Sequence, residues 1–408
     1  MNSVPPVAAS NGNGGMRRHV CMIAYTDYAT DSRVRREAET LVGHGFHVRC
    51  FATKTEAAPR RFQLDGVDVH ESRIAKYRGK SARAYIASYL RFLADASFTC
   101  LRLMARGELD VVHVHNVPDF LVFAAFLPRL AGRKVILDVH DSVPETFATK
   151  FPDAPFVRKA LVLEERVSAM LAHKVICVNH PQRDALVARG IPTAKTFISM
   201  NVPDPRLFPA VDTTTRLTPD GALNLVYHGT MAHRLGVDLL IEAVARIKER
   251  VPAVRLQLWG DGDDLPAFRT LARERRLDGH VEFNQQGYPL ESLQHRLRCM
   301  DLGVLGNRRG AACDLMLPGK LLEYVALGIP VVAPRLKTIA HYFNDDMVTF
   351  YEPESVESLA DAVVRLYHDR SRRLRQATIA QQFLANYGWD QQREEFVTMY
   401  ESLVGSHQ

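Results

Sequence analysis

Cysteine is sparse and unpaired. The chain has six (Cys21, Cys50, Cys100, Cys177, Cys299, Cys313), and none stands at C-x-x-C spacing. Most fall in apolar strand or helix patterns, which reads as buried thiols in a reducing cytosol and excludes a zinc-ribbon or dithiol redox role. Long apolar runs are also missing. The longest, Phe120 to Leu127, stops at Pro128, far short of the roughly 18–20 residues of a membrane span. Residues 1–15 are rich in Asn, Gly, Ser and Pro and lack a signal peptide's apolar core. They are expected to be a disordered leader, with Met16 as an alternative start. The basic stretches lack interleaved aromatics, which argues against nucleic acid. Acids crowd together at Asp261, Asp263 and Asp264, but at a predicted helix start, where acids are favoured anyway. No metal and no cofactor are expected.

What is present fits a globular enzyme. At 408 residues, 47% hydrophobic and 24% charged, the chain is long enough for two domains. Charge is unevenly shared: the balance is +9 over residues 1–206 and −3 over 207–408. Much of the excess base lies between Lys54 and Arg83, at Arg60, Arg61, Arg73, Lys76, Arg78 and Lys80. Such a patch can attract an anionic membrane surface or an anionic acceptor, or serve only as a solvated surface.

The first half alternates strand and helix patterns. Strands are expected at His19–Tyr25, Phe46–Ala52, Asp110–His115, Lys134–His140 and Lys174–Val178. Helices are expected from Asp31 to Val42, Ser81 to Arg106, Pro118 to Leu130 and Pro155 to Leu171. This alternation implies an α/β, parallel, doubly wound sheet, whose ligands gather at the carboxyl ends of the strands. Three loops fall there. In the first, Arg33 near a helix start could meet a phosphate, or Asp31 and Arg33 could only cap and pair. In the second, His115 and Asn116 end a strand, while His113 inside it reads as structural. In the third, His140 and Asp141 end a strand, with Glu145 following.

The second half carries a strand that runs into His228-Gly229-Thr230 and then a helix, a turn suited to anions. Arg234 can fork two hydrogen bonds onto a diphosphate. A Gly260-Asp261-Gly262 turn follows the next strand. The stretch from Pro318 to Ala333, PGKLLEYVALGIPVVA, organises the rest. Pro318 suits a helix's first position, Leu321, Leu322, Val325 and Ala326 give one apolar face, and Gly328 suits the stop. Lys320 and Glu323 share one side of the first turns. A basic helix start followed by a carboxylate suits a nucleoside diphosphate and its ribose hydroxyls.

The Pro318 stretch resembles the donor-binding signature of retaining, family-4-like (group 1) glycosyltransferases of GT-B fold. Glu323 matches the glutamate that binds the ribose of the nucleotide-sugar there. One departure is Leu315, where that family often carries the first acid of a Glu-x7-Glu pair. The 25–39 loop (Tyr28, Asp31, Arg33, Val34, Glu37, Ala38) and the H-D-x-x-P-E run at His140 resemble one subgroup. The resemblance implies two Rossmann-like domains facing across a cleft, 16–205 on the acceptor side and 206–385 binding the nucleotide-sugar, with 386–408 crossing back. It implies donor binding by Gly229, Thr230, Arg234, Gly260, Gly262, Lys320, Leu321 and Glu323. His140 and Asp141 become the catalytic candidates, and Arg33, His115, Asn116 and Glu145 the acceptor-side ones. A loop at Asn307-Arg308-Arg309 could close over the donor phosphates.

The expected activity is transfer of a hexose-type sugar from a nucleoside diphosphate to a lipid-linked or saccharide acceptor in cell-surface polysaccharide synthesis. The expected location is cytoplasmic, with possible docking on the inner membrane face. The rivals are a nucleotide-sugar 2-epimerase of the same fold and a non-catalytic nucleotide-sugar-binding protein.

Overall fold

A computed structural model describes residues 18–55, 60–77, 81–150, 155–211 and 222–405. The expected leader (1–15) and two members of the basic cluster, Arg78 and Lys80, lie outside these residues.

The first domain is built on an eight-stranded sheet. Its strands are β1 (His19–Ala24), β2 (His47–Lys54), β3 (Arg61–Leu64), β4 (Val67–Ala75), β5 (Val111–His115), β6 (Lys134–Val139), β7 (Lys174–Cys177) and β8 (Thr196–Ile198). Their spatial order is β3-β4-β2-β1-β5-β6-β7-β8. All neighbours are parallel except β3 and β4. A parallel sheet covered on both faces needs nearly continuous apolar strands, and the five residues of β5 are all buried. The β3–β4 hairpin was not anticipated. Asp65 and Gly66 take φ of 49° and 80° at its tip, the two left-handed residues that a tight two-residue hairpin turn requires.

The helices fall in two layers. On one face, α2 (Ala82–Ala105), a 3-10 segment Asp119–Ala125 running into α3 (Phe126–Leu130), and α5 (Pro155–Leu171) cover Cys21, Ile23, Val112, Val114, Val135 and Leu137. The single helix expected over Pro118–Leu130 is thus mostly 3-10. On the other face, α1 (Ser32–Gly43) covers Met22, Val48 and Ile136. Asp31 caps α1, its carboxylate accepting the Val34 amide at 3.1 Å. Two more helices, α4 (Val143–Lys150) and α6 (His180–Ala188), start at strand carboxyl ends. A loop was expected through most of α4.

The second domain has six parallel strands: β9 (Leu223–His228), β10 (Val254–Trp259), β11 (Val281–Asn284), β12 (Leu302–Val304), β13 (Val331–Pro334) and β14 (Thr349–Tyr351). Their order is β11-β10-β9-β12-β13-β14. The helix α7 (Val237–Ile247) packs with the helix Val356–His368 over this sheet. The anticipated donor-site helix spans Gly319–Ala326, with Pro318 as its N-cap rather than its first residue.

The last helix, Trp389–Gly405, returns to the first domain. Trp389 Nε1 donates to Thr40 Oγ1 (3.3 Å), the Met200 amide donates to Gln392 Oε1 (2.6 Å), and Tyr400 Oη lies 2.6 Å from His113 Nδ1. The Arg36 guanidinium stacks 4.2 Å from the Trp389 ring centre.

Candidate active site

The two sheets point their strand carboxyl ends at a shared cleft. It holds a cavity of about 210 Å³, lined by Arg33, His140, Asp141, Thr146 and Asn201 from the first domain and by Leu315, Met316, Pro318, Gly319 and Leu322 from the second. Asn179 Nδ2 reaches across it to donate to the Leu315 carbonyl at 2.9 Å.

On the first-domain wall the centre of charge is Asp138, which is fully buried. Arg33 grips it with two hydrogen bonds, Nε to Oδ2 at 3.0 Å and Nη2 to Oδ1 at 2.9 Å. His140 Nε2 lies 2.9 Å from the same Oδ2, and His115 Nδ1 lies 3.2 Å from it. Burial alone would raise the Asp138 pKa, but the Arg33 charge, with His140 and the two imidazole hydrogen bonds, holds it well below the carboxylate range. The effect on His140 is opposite. Burial disfavours its proton, yet the Asp138 carboxylate outweighs this and raises its pKa above the usual histidine value. Asp138 therefore orients the ring through Nε2–H and favours an imidazolium at the cavity wall.

Behind this pair the polar set continues inward. Glu37 is fully buried, sits 3.2 Å from Arg33 Nη2, and accepts from Ser199 Oγ at 3.2 Å. Burial pushes its carboxyl pKa up. His113 stacks on His115, ring centres 4.1 Å apart, and is tied to Tyr400. Glu37, His113, His115 and Asp138 bring donor atoms within 4.8 Å of one another, near enough for a metal ion. The Arg33 guanidinium already bonds Asp138 and pairs with Glu37, and it supplies the positive charge there.

The acceptor-side candidates separate on this geometry. Arg33 is spent on Asp138, Glu37 and the Ser199 carbonyl (2.9 Å), so it is no free phosphate ligand. His115 lies buried behind His140. Asn116 is a clamp: its Oδ1 accepts the His140 amide at 2.7 Å, and its Nδ2 donates to Asp119 and to the Asp141 carbonyl. Glu145 does not line the cavity; it is buried in an ion pair with Arg189 at 2.9 Å. Asp141 is exposed on the cavity edge.

On the second-domain side, beyond the residues that line this cavity, Lys320 extends from the start of its helix and sets Nζ 3.8 Å from the Tyr227 ring centre. Burial pushes its pKa down to about 7, the nearby Arg234 charge adds to this, and Glu323 opposes it. Glu323 Oε2 lies 3.1 Å from His228 Nε2, close enough to pair with a protonated ring, and both atoms are buried without a hydrogen bond. Gly229 and Thr230 are exposed beside Lys320. Gly260 (φ 132°) and Gly262 play a more mechanical part. A Cβ on either would overlap a backbone carbonyl oxygen, of Gly229 or of Met231, so these glycines let the loops after β9 and β10 touch. Leu321 is wholly in the core, and its amide donates to the Pro318 carbonyl. Arg308 pairs with Asp238 and Glu354, and Arg309 with Glu352, in the ligand-free arrangement.

Two doubly wound domains whose strand ends meet across such a cleft define the GT-B class. Relatives in sequence narrow this. The family model for glycosyl transferase 4-like domains matches residues 30–200, and that for group 1 glycosyl transferases matches residues 222–369. The chain belongs to the group 1, family-4-like glycosyltransferases.

Among curated proteins, it is 24% identical over 68% of its length to a subunit of the phosphatidylinositol N-acetylglucosaminyltransferase of Arabidopsis thaliana, spanning 61% of that protein. It is 22% identical over 96% of its length to phosphatidyl-myo-inositol mannosyltransferase of Mycobacterium tuberculosis, covering 94% of that protein. A GDP-mannose-dependent phosphatidylinositol monomannoside mannosyltransferase from the same organism matches at 30% identity, over 38% of this chain and 42% of that one. Two of these three alignments thus span less than two thirds of the relative. Among solved structures, a sucrose-phosphate synthase from Thermosynechococcus elongatus superposes with a TM-score of 0.76 at 18% identity, covering 95% of this chain and all of that one. Anabaena HepE, solved with UDP-glucose, gives 0.69 at 13%, covering 94% and 99%.

Proposed function

We propose that the protein is a retaining glycosyltransferase that moves a hexose-type sugar from a nucleoside diphosphate to a lipid-linked or saccharide acceptor. The observation that carries this is the second-domain wall. There a buried carboxylate oxygen of Glu323 and a buried ring nitrogen of His228 face each other at 3.1 Å without a hydrogen bond, beside the Lys320 ammonium and a helix start. Ribose hydroxyls would satisfy the first two, and a diphosphate the others.

In the reaction, the anomeric C–O bond to the diphosphate breaks while a bond to the acceptor oxygen forms on the same face of the sugar. The acceptor proton passes to an oxygen of the leaving phosphate. Lys320, Arg234 and the helix N-terminus stabilise the negative charge that develops on that group. His140, oriented by Asp138, whose carboxylate favours its imidazolium, donates a hydrogen bond from the opposite wall. This scheme needs no cofactor and no metal. The phosphatidylinositol-directed names of the relatives favour a lipid acceptor, and a cytoplasmic site on the inner membrane face fits that class. No helix among the described residues is long and apolar enough to cross a membrane. Leu315, where an acid often stands, gives the sugar side an apolar wall.

The test is a thermal-shift screen against UDP-, GDP-, dTDP- and ADP-sugars, repeated with Glu323→Ala. A ligand that binds only the native state raises Tm. One stabilising donor, with the shift lost in Glu323→Ala at unchanged ligand-free Tm, is expected. A full shift in the variant would sink the donor-site assignment. Release of an epimer without any acceptor would replace transfer with epimerisation.

A further inference from the structure

Every large hydrophobic side chain exposed among the described residues lies on one layer of the first domain, the helices α2, α3 and α5. The exposure is deep: Phe156 is 82% accessible and Met170 71%. On α5 the pattern is inverted from that of a covering helix. Phe156, Leu163 and Met170 recur every seven residues on the solvent side, with Ala160 and Val167 between them, while Glu165 and Ser168 face inward. Glu165 needs the Arg189 guanidinium 3.0 Å away to be tolerated there. Burial against the sheet does not explain this arrangement, because the sheet is already covered by the opposite side of the same helices.

The charges on the same surface have one sign. Arg83, Arg91, Arg158, Lys159 and Arg166 are exposed on these helices, and none of their acids is: Asp95 and Glu164 are half-buried and Glu165 is buried. An apolar stripe ringed by cations matches an anionic lipid surface, where each basic residue adds attraction and each apolar side chain enters the acyl boundary. Topology puts one end of the layer at the cleft. In a parallel sheet the crossover helices run antiparallel to the strands, so the α5 end bearing Phe156 stands at the strand carboxyl ends, next to α4, whose Thr146 lines the cavity.

We infer that the outer face of the α2–α3–α5 layer docks on an anionic bilayer and holds the cleft mouth at the lipid surface. This deepens the reading above by naming the surface that would meet a lipid acceptor. It also moves the membrane contact off the β3–β4 strands, where Arg60, Arg61, Arg73 and Lys76 are exposed without accompanying large apolar side chains.

The test is flotation of the full chain, without donor or acceptor, with vesicles of phosphatidylcholine alone or mixed with phosphatidylglycerol. Binding is expected only to the mixed vesicles and is weakened by salt. Phe156→Ser with Leu163→Ser and Met170→Ser should reduce the bound fraction at least about tenfold. Lys159→Glu with Arg166→Glu should reduce it by about fivefold or more per charge. Both variants should keep the parent Tm. Failure to float with either vesicle overturns the inference, and equal binding to both overturns the anionic assignment. A concentration-dependent dimer that the triple serine variant abolishes, without vesicle binding, gives the face to a second copy instead. Because no donor is present, failure here leaves the transferase reading standing, and a failed donor screen leaves docking intact.

Discussion

Lys320 gives donor binding a pH dependence that can be worked from its surroundings. Burial and Arg234 hold its pKa near 7 in the free protein. About half of the molecules then carry the ammonium at pH 7, and about one in a hundred at pH 9. A bound diphosphate is a strong opposite charge and favours the protonated form, so binding takes up a proton. Affinity should fall by about fivefold from pH 7 to 8 and about ninefold from 8 to 9, up to about fiftyfold in all. The assay is titration calorimetry with whichever nucleotide-sugar stabilises the protein, at pH 6 to 9. Buffers of different ionisation enthalpy then count the proton directly. The sugar ester is the right probe, because a terminal phosphate titrates near 6 and would add its own slope. Lys320→Arg keeps its charge across this range and should bind with a flat profile. A flat profile in the parent protein, or the same slope in Lys320→Arg, would refute the reasoning.

Three further outcomes follow from the geometry. Asp138→Asn removes the carboxylate charge that Arg33 grips, leaving Glu37 as its remaining acid, and should cost about 1.5–3 kcal/mol in urea unfolding. Because Asp138 raises the His140 pKa, their pairing stabilises fully below about pH 6.5 and fades as pH rises through the raised value; that His140 component should vanish in the variant, and an unchanged profile would discount the pair. Gly260→Ala forces a left-handed Cβ onto the Gly229 carbonyl and should cost about 2–3 kcal/mol, with donor-induced Tm shifts lost; a normal donor shift would show that this contact is dispensable. Tyr400→Phe strands His113 Nδ1 in the core and should lower stability by about 1–3 kcal/mol, read by urea unfolding; no change would mean that another group or a water takes the bond.

The parallel sheets were legible because alternation of apolar strands and amphipathic helices leaves few other packings. Pro155–Leu171 was bounded correctly from periodicity alone. The hairpin was missed although Asp65-Gly66 between two alternating runs is its signal; the basic residues there drew the reading toward charge instead. At the site, Lys320, Glu323 and His140 were singled out by their places at a helix start or strand end together with the family resemblance of the stretches around them. Asp138 was not singled out. Its signal was a carboxylate two residues before His140, inside an otherwise apolar strand. Glu37 and His228 were hidden differently: Ser199, which donates to Glu37, and Glu323, which faces His228, come from distant segments, and only tertiary packing shows which charges are consumed. The same packing reassigns Arg33 and Glu145 from ligand candidates to structural ion pairs.

The contact between Tyr400 and His113 also bears on synthesis. The two residues are 287 positions apart, which is about 15–60 s of ribosome travel at about 5–20 residues per second. Through that interval the earlier-made domain waits with one side of its sheet uncovered around Phe46, which Tyr400 later meets edge-on. The nascent chain must therefore reach the Trp389–Gly405 helix before its first domain is finished, and a stall or stop ahead of that helix would release a product with both sheets formed and its apolar seam open. Such a product would be a substrate for chaperones and proteases rather than a slightly shortened enzyme.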